Sequence, residues 1–196
     1  MEKSSETREQ LLDAAERLLI RDGHARLSTR RIVDEAGASH GLIRYHFGSF
    51  EKLLEAMIER AMGTILTRQR DLFGAKRPFI EKWEQAMNYW DVDLAAGYPK
   101  LLAELQSMAW NDAAWQPLMA RSVRAYQDVL RIAVEAACKE YDLDDVDVES
   151  ATTMLRLFQT GVLFERVGGV TLGHSRLNEA IHAWLLRSSR QRRADL

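Results

Sequence analysis

The stretch Leu27–Leu54, LSTRRIVDEAGASHGLIRYHFGSFEKLL, decides how this chain is read. Ser28 is placed to cap a short helix running to about Glu35, which Ala36-Gly37 closes. Ser39 is placed to cap a second, ending at His46 or Phe47, where Gly48 breaks the chain. Ser49 then opens a third, which carries Leu54, Met57, Ile58, Ala61 and Ile65 at helical spacing. Two short helices joined by Ala36-Gly37-Ala38 make a helix-turn-helix, a unit whose second helix fits a DNA major groove.

The second short helix has a telling distribution of side chains. At about 100° per residue, Ile43 and Phe47 share a face that belongs to the core. Gly41, Leu42 and Tyr45 then point away, flanked by Arg44 and His46. Such an arc serves solubility poorly, since Lys and Glu would do better. It suits a DNA groove. Gly41 permits close approach, Leu42 can meet a thymine methyl, Arg44 can reach guanine or phosphate, and Tyr45 and His46 can donate to phosphate oxygens.

Working outward, helical periodicity dominates and no convincing alternating strand is found, so the fold class is all-α. A first helix over about Glu6–Arg21 puts Leu11, Leu12, Ala15, Leu18 and Leu19 on one stripe and ends at Asp22-Gly23. Gly74 to Pro78 forms a joint. Further helices are expected at about 79–94, from Pro99, after Pro117, at about 148–167, and from Ser175. The basic end, with Arg187, Arg190, Arg192 and Arg193, reads as a solvated terminus.

Composition fits a globular protein: 196 residues, 46% hydrophobic, 29% charged, with only three prolines. No apolar run approaches the roughly 20 residues of a membrane span. The polar start is neither a secretory signal nor a transit peptide. A single cysteine, Cys138, rules out an intrachain disulfide. A cytoplasmic protein is expected. Net charge is −2, yet Arg26–Lys52 carries five basic and three acidic side chains.

The first helix followed by the quoted stretch closely resembles the DNA-binding region of TetR-family transcriptional regulators, over about residues 6–60. The likeness lies in Leu27-Ser28-Thr29, Ile32 with Ala36-Gly37, Tyr45-His46-Phe47 and Leu53-Leu54. It implies a DNA-binding domain at 1–48, a connecting helix at 49–70, and an effector-binding and dimerisation domain at 71–196. It also implies DNA contacts by Thr29, Arg30, Ser39, His40, Gly41, Leu42, Arg44, Tyr45 and His46. Two positions depart from the family. Arg44 replaces a frequent aromatic, and Phe50 stands where a phosphate-gripping lysine is common, with Lys52 nearby as its substitute. The implied function is a repressor, released from a palindromic operator by a small molecule and acting as a homodimer.

The helix at 148–167 has two apolar faces, with Val148, Ala151, Leu155, Phe158 and Val162 on one and Met154, Leu157, Gly161 and Phe164 on the other. One face suits the chain's own core and the other a second copy, which Ile181, Trp184 and Leu185 of the last helix would join. Trp83, Met87, Trp90, Met108, Trp110, Trp115, Met119, Tyr126 and Phe158 are the candidate effector pocket, although each is also an ordinary core residue type. No Arg or Lys stands obviously among them, which favours a neutral or hydrophobic effector. No metal, cofactor or catalytic residue is expected. The rival reading is an all-helical enzyme or binding bundle using the Trp-rich cavity, but no convergent acid, base or nucleophile set supports it.

Overall fold

The computed structural model describes residues 2–194, and the side chains of residues 4–187. Arg190, Arg192 and Arg193 of the basic end therefore lie outside the described side chains, while Arg187 is exposed. The described elements are α-helices with two short 3₁₀ turns at His24–Arg26 and Ala113–Trp115. In chain order they are α1 (Glu2–Asp22), α2 (Thr29–Ala36), α3 (Gly41–Phe47), α4 (Phe50–Gly74) and α5 (Phe79–Ala96). Then come α6 (Tyr98–Asn111), α7 (Gln116–Tyr141), α8 (Val148–Val167) and α9 (His174–Ala194).

The chain divides into two compact units. The front unit comprises residues up to Ile65 together with Gly97–Ser122, and the back unit comprises Leu66–Ala96 and the chain from Val123 onward. Residues 97–122, expected from the sequence in the effector-binding part, thus pack with the front helices.

The front core is closed and apolar. Leu11, Leu12, Leu18 and Leu19 of α1 pack with Ile32 and Val33 of α2, Ile43 of α3, and Leu53, Leu54, Met57 and Ile58 of α4. α6 adds Leu101, Leu105 and Met108, and α7 adds Leu118. Each fully buried Leu or Ile contributes roughly 1.5–3 kcal/mol relative to exposure. α6 approaches α1 so closely that a Cβ on Gly97 would sit 2.5 Å from Ile20 Cγ2, and its φ of +84° already favours glycine.

In the back unit, Leu72 and Phe73 of α4 meet Phe79, Trp83 and Ala86 of α5, Ala133 and Tyr141 of α7, and Leu185 of α9. Aromatic rings run through this cluster: Phe73 stacks on Phe79 at 6.2 Å, Phe79 meets Tyr141 edge-on at 6.0 Å, and Tyr141 meets Trp184 at 6.1 Å. Polar groups are built in as well. Buried Lys82 donates to the Phe73 carbonyl at 3.0 Å. The Glu140 carboxylate accepts from the Phe79 amide at 2.8 Å and satisfies one donor at the start of α5. α8 buries Thr152 and Val162 and turns Met154, Leu157, Gly161 and Phe164 to solvent. The two faces expected of this helix are present, and one is uncovered.

Candidate nucleic-acid interface

α2 begins where its cap chemistry says it should. Ser28 Oγ accepts from the Arg31 amide at 3.3 Å, and the extended Ser28 backbone turns into the helix. α2 stops at Gly37, whose φ of 63° is left-handed and whose amide returns to the Asp34 carbonyl at 3.3 Å. α3 starts later than expected. His40 already has helical dihedrals and occupies the N-cap position without a side-chain bond. Ser39 contributes only its carbonyl, which accepts from the Leu42 amide at 3.1 Å, so it is no side-chain cap for α3. Ser49 does cap α4, its Oγ accepting from the Lys52 amide at 3.2 Å.

α3 is held by its inner face. Ile43 is buried, and Phe47 packs partly buried against the front core. The Arg8 guanidinium lies 5.2 Å from the centre of the Phe47 ring, a cation–π contact that fixes the end of α3 on α1. Arg8 had no signal in the sequence, because nothing local links position 8 to position 47.

The outer face is presented as a block. Tyr45 is 75% exposed, and Gly41 and Arg44 are exposed with it. His46 is partly buried, its ring edge-on to Tyr45 at 4.9 Å, so each limits the rotation of the other. Leu42 differs from expectation: it is partly buried and packs against the front core, so only part of its side chain can meet a groove. Ser39 and His40 lie exposed in the turn. On α2, Thr29 is partly buried, while the Arg30 side chain is 83% exposed and 3.7 Å from Asp34. An exposed pair at that distance holds Arg30 weakly and leaves it free to rotate onto a phosphate.

Two other arginines near the turn are committed to structure. Arg31 bonds Asp22 and donates to the Arg26 carbonyl at 2.8 Å. The arginine partners hold the Asp22 carboxyl below its usual pKa, with the Arg21 hydrogen bond the largest cause. The Glu104 carboxylate of α6 accepts from the His24 amide at 2.9 Å and pins the segment that leads into α2.

Lys52 is exposed but engaged. Its Nζ lies 2.5 Å from Glu55, and Glu55 also accepts from Arg121 at 2.8 Å. These bonds, that from Lys52 first, hold the Glu55 carboxyl below its usual pKa. Lys52 reaches a phosphate only by leaving Glu55.

The residues expected to form one effector pocket are divided between the units. Met108 is in the front core, with Trp115 and Met119 partly buried against it. Trp110 is 85% exposed. These four belong to the front unit, because α6 and the start of α7 pack forward. Trp83 and Met87 belong to the back cluster. Trp90 sits under Arg166 at 5.7 Å, and Phe158 is partly buried on α8. Tyr126 donates to Gln159 at 2.6 Å. Of the expected dimer residues, Met154, Leu157, Gly161, Phe164 and Trp184 are exposed. Leu185 is not available to a partner, since it is buried in the back core, and Ile181 packs partly buried beside it.

An all-helical front unit with an outward arc on the second helix of a helix-turn-helix defines a DNA-binding protein class. Residues 11–57 match the family described as bacterial regulatory proteins, tetR family. An uncharacterised helix-turn-helix transcriptional regulator of Haemophilus influenzae is 30% identical over 83 residues, covering 42% of this chain and 44% of that protein. The chain thus spans less than half the length of that relative. In fold, a TetR transcription regulator from Haloarcula marismortui superposes with TM-score 0.71 at 19% identity, over 95% of this chain and 98% of the other. FadR of Bacillus subtilis, solved with stearoyl-CoA, gives TM-score 0.70 at 18% identity, over 90% and 96%. Residues 11–57 thus carry the DNA-binding domain of the tetR family, and the chain shares the fold of the TetR regulator it superposes on.

Proposed function

We propose that the protein is a homodimeric, sequence-specific repressor that leaves its operator when a small molecule binds. Residues 1–48 contact DNA, 49–70 connect, and the effector and dimer functions lie in 71–196. It works in the cytoplasm and is not an enzyme. The observation that carries this reading is the exposed arc of Gly41, Arg44 and Tyr45, locked from behind by Ile43 and Phe47. A rigid helix that holds out a guanidinium, a phenol and a bare backbone position is shaped for a groove edge and its phosphates. Ser39, His40 and Thr29 flank it, Arg30 adds a weakly held cation, and Lys52 adds one that must first leave Glu55.

The homodimer rests on the uncovered apolar side of α8 and α9. Met154 is 70% exposed, and Leu157, Phe164 and Trp184 are exposed with it. Such a patch on a single chain marks a partner surface. A two-fold dimer presents two recognition helices to half-sites about one helical turn of DNA apart. Release by an effector follows if it binds better to a dimer whose two α3 helices no longer match that spacing. The B. subtilis FadR complex with stearoyl-CoA supports an effector site in this fold.

The test is a gel-shift titration of an operator recovered by genomic-fragment selection. Arg44→Ala should cost about 1–3 kcal/mol of binding, and Arg30→Ala less, with dimer and fold intact. Unchanged affinity in both variants would refute the assigned face. Weak dependence on salt would refute phosphate contact.

A further inference from the structure

We infer that the interior of the back unit around Arg68, Asp93 and Tyr126 receives the uncharged, hydrogen-bonding end of an amphipathic small molecule. This rests on the effector reading above and specifies its chemistry.

Arg68 of α4 and Asp93 of α5 form an ion pair inside the back unit, and Asp93 is only 7% exposed. The ring of Tyr89, one turn before Asp93, lies 4.4 Å from the Arg68 guanidinium carbon. The cation therefore has a counter-charge and an aromatic face, both from α5. Tyr126 of α7 donates to Gln159 of α8 at 2.6 Å, and its phenol feels the Asp93 charge. Together with burial, the larger cause, that charge keeps the phenol protonated well past its usual range. Four helices thus deliver polar groups to one largely buried region of the back unit. No Arg was expected there from the sequence, and the pair narrows the expected neutral or hydrophobic effector to a neutral one with a polar end.

The hydrogen bonding of the pair is incomplete. Asp93 Oδ1 and Arg68 Nε are both buried without a partner in the protein, as is Oε1 of the neighbouring Gln69. Buried polar atoms are nearly always paired, because leaving them dry is unfavourable. The open positions include one N–H donor and a carboxylate acceptor, and the charges of the pair already cancel. A carboxylate ligand finds its cation taken, and an ammonium ligand finds its anion taken. A group with its own donor and acceptor and no net charge, such as a primary amide, meets both open atoms without disturbing the pair.

The experiment uses the full chain and three probes of one shape: 2-naphthamide, 2-naphthoate and 2-naphthylmethylammonium. Each is titrated by calorimetry into wild type, Asp93→Asn and Arg68→Gln, with circular dichroism and operator binding as controls for folding. Wild type should prefer the amide by about tenfold over either ion. Asp93→Asn leaves the guanidinium uncompensated and should move the preference to naphthoate. Arg68→Gln leaves the carboxylate and should move it to the ammonium. If either variant fails to fold, Tyr126→Phe replaces it and should weaken amide binding several-fold. The inference is overturned if no probe binds wild type, or if the order of the probes is unchanged in the variants. A diverse compound panel that releases operator despite that result would leave the effector reading standing. A panel with no effect on operator affinity would end the effector reading itself.

Discussion

The two units solve the problem of an interior differently. The front unit fills its core with Leu, Ile, Val and Met, almost all of it closed to water. The back unit keeps Lys82, Asp93, Thr152 and His174 inside and leaves Met154, Leu157, Phe164 and Trp184 outside. A closed apolar core needs nothing further to be stable. The back unit encloses charge and exposes apolar side chains, the two features on which the proposed effector site and the proposed dimer rest.

The largest way to break the contrast is to open the front core. Leu54→Ala, at a site 1% exposed, should cost about 2–5 kcal/mol, read as a lower midpoint in urea denaturation. Next comes the outer face of α8. Leu157→Glu should leave each chain folded and weaken self-association by about 2–4 kcal/mol, read by sedimentation velocity across a dilution series. A variant that dimerises like wild type would move the interface elsewhere. Ser28→Ala removes the cap of α2 and should cost about 1 kcal/mol of stability, with a matching loss in operator affinity if α2 frays. The smallest effect at neutral pH lies in the back unit. Burial, with Glu140 nearby, pushes Tyr141 up to about 12, and Tyr126 is raised too. Unfolded phenols ionise near pH 10, so this stability is present below about pH 10 and lost as pH rises toward 12. A thermal melt series from pH 8 to 12 reads it. Tyr126→Phe should flatten part of the decline.

Legibility followed the same division. Ser28, Gly37, Gly48 and Ser49 act on residues three or four positions away, so the front helices could be placed by inspection. The alternation of Ile43 and Phe47 with Tyr45 needed only helical geometry. Two local readings still failed. Ser39 yields the cap position of α3 to His40, and Leu42 leans back onto the core. Both depend on how the turn and α3 pack on the front core. The expected pocket residues fall in different units, because Trp110 and Trp83 look alike in sequence and differ only in what packs over them.

What the sequence determined by itself was most of what short-range rules govern: approximate helix bounds, the helix-turn-helix, and the two-faced character of α8. What only the tertiary structure decided was partnership at long separation. Arg68 finds Asp93, Arg8 finds Phe47, and α6 joins the front unit rather than the back. Caps and helical periodicity are fixed by dihedral preferences within one or two turns. Which distant side chains meet is settled by packing the whole chain at once, and no local pattern records it.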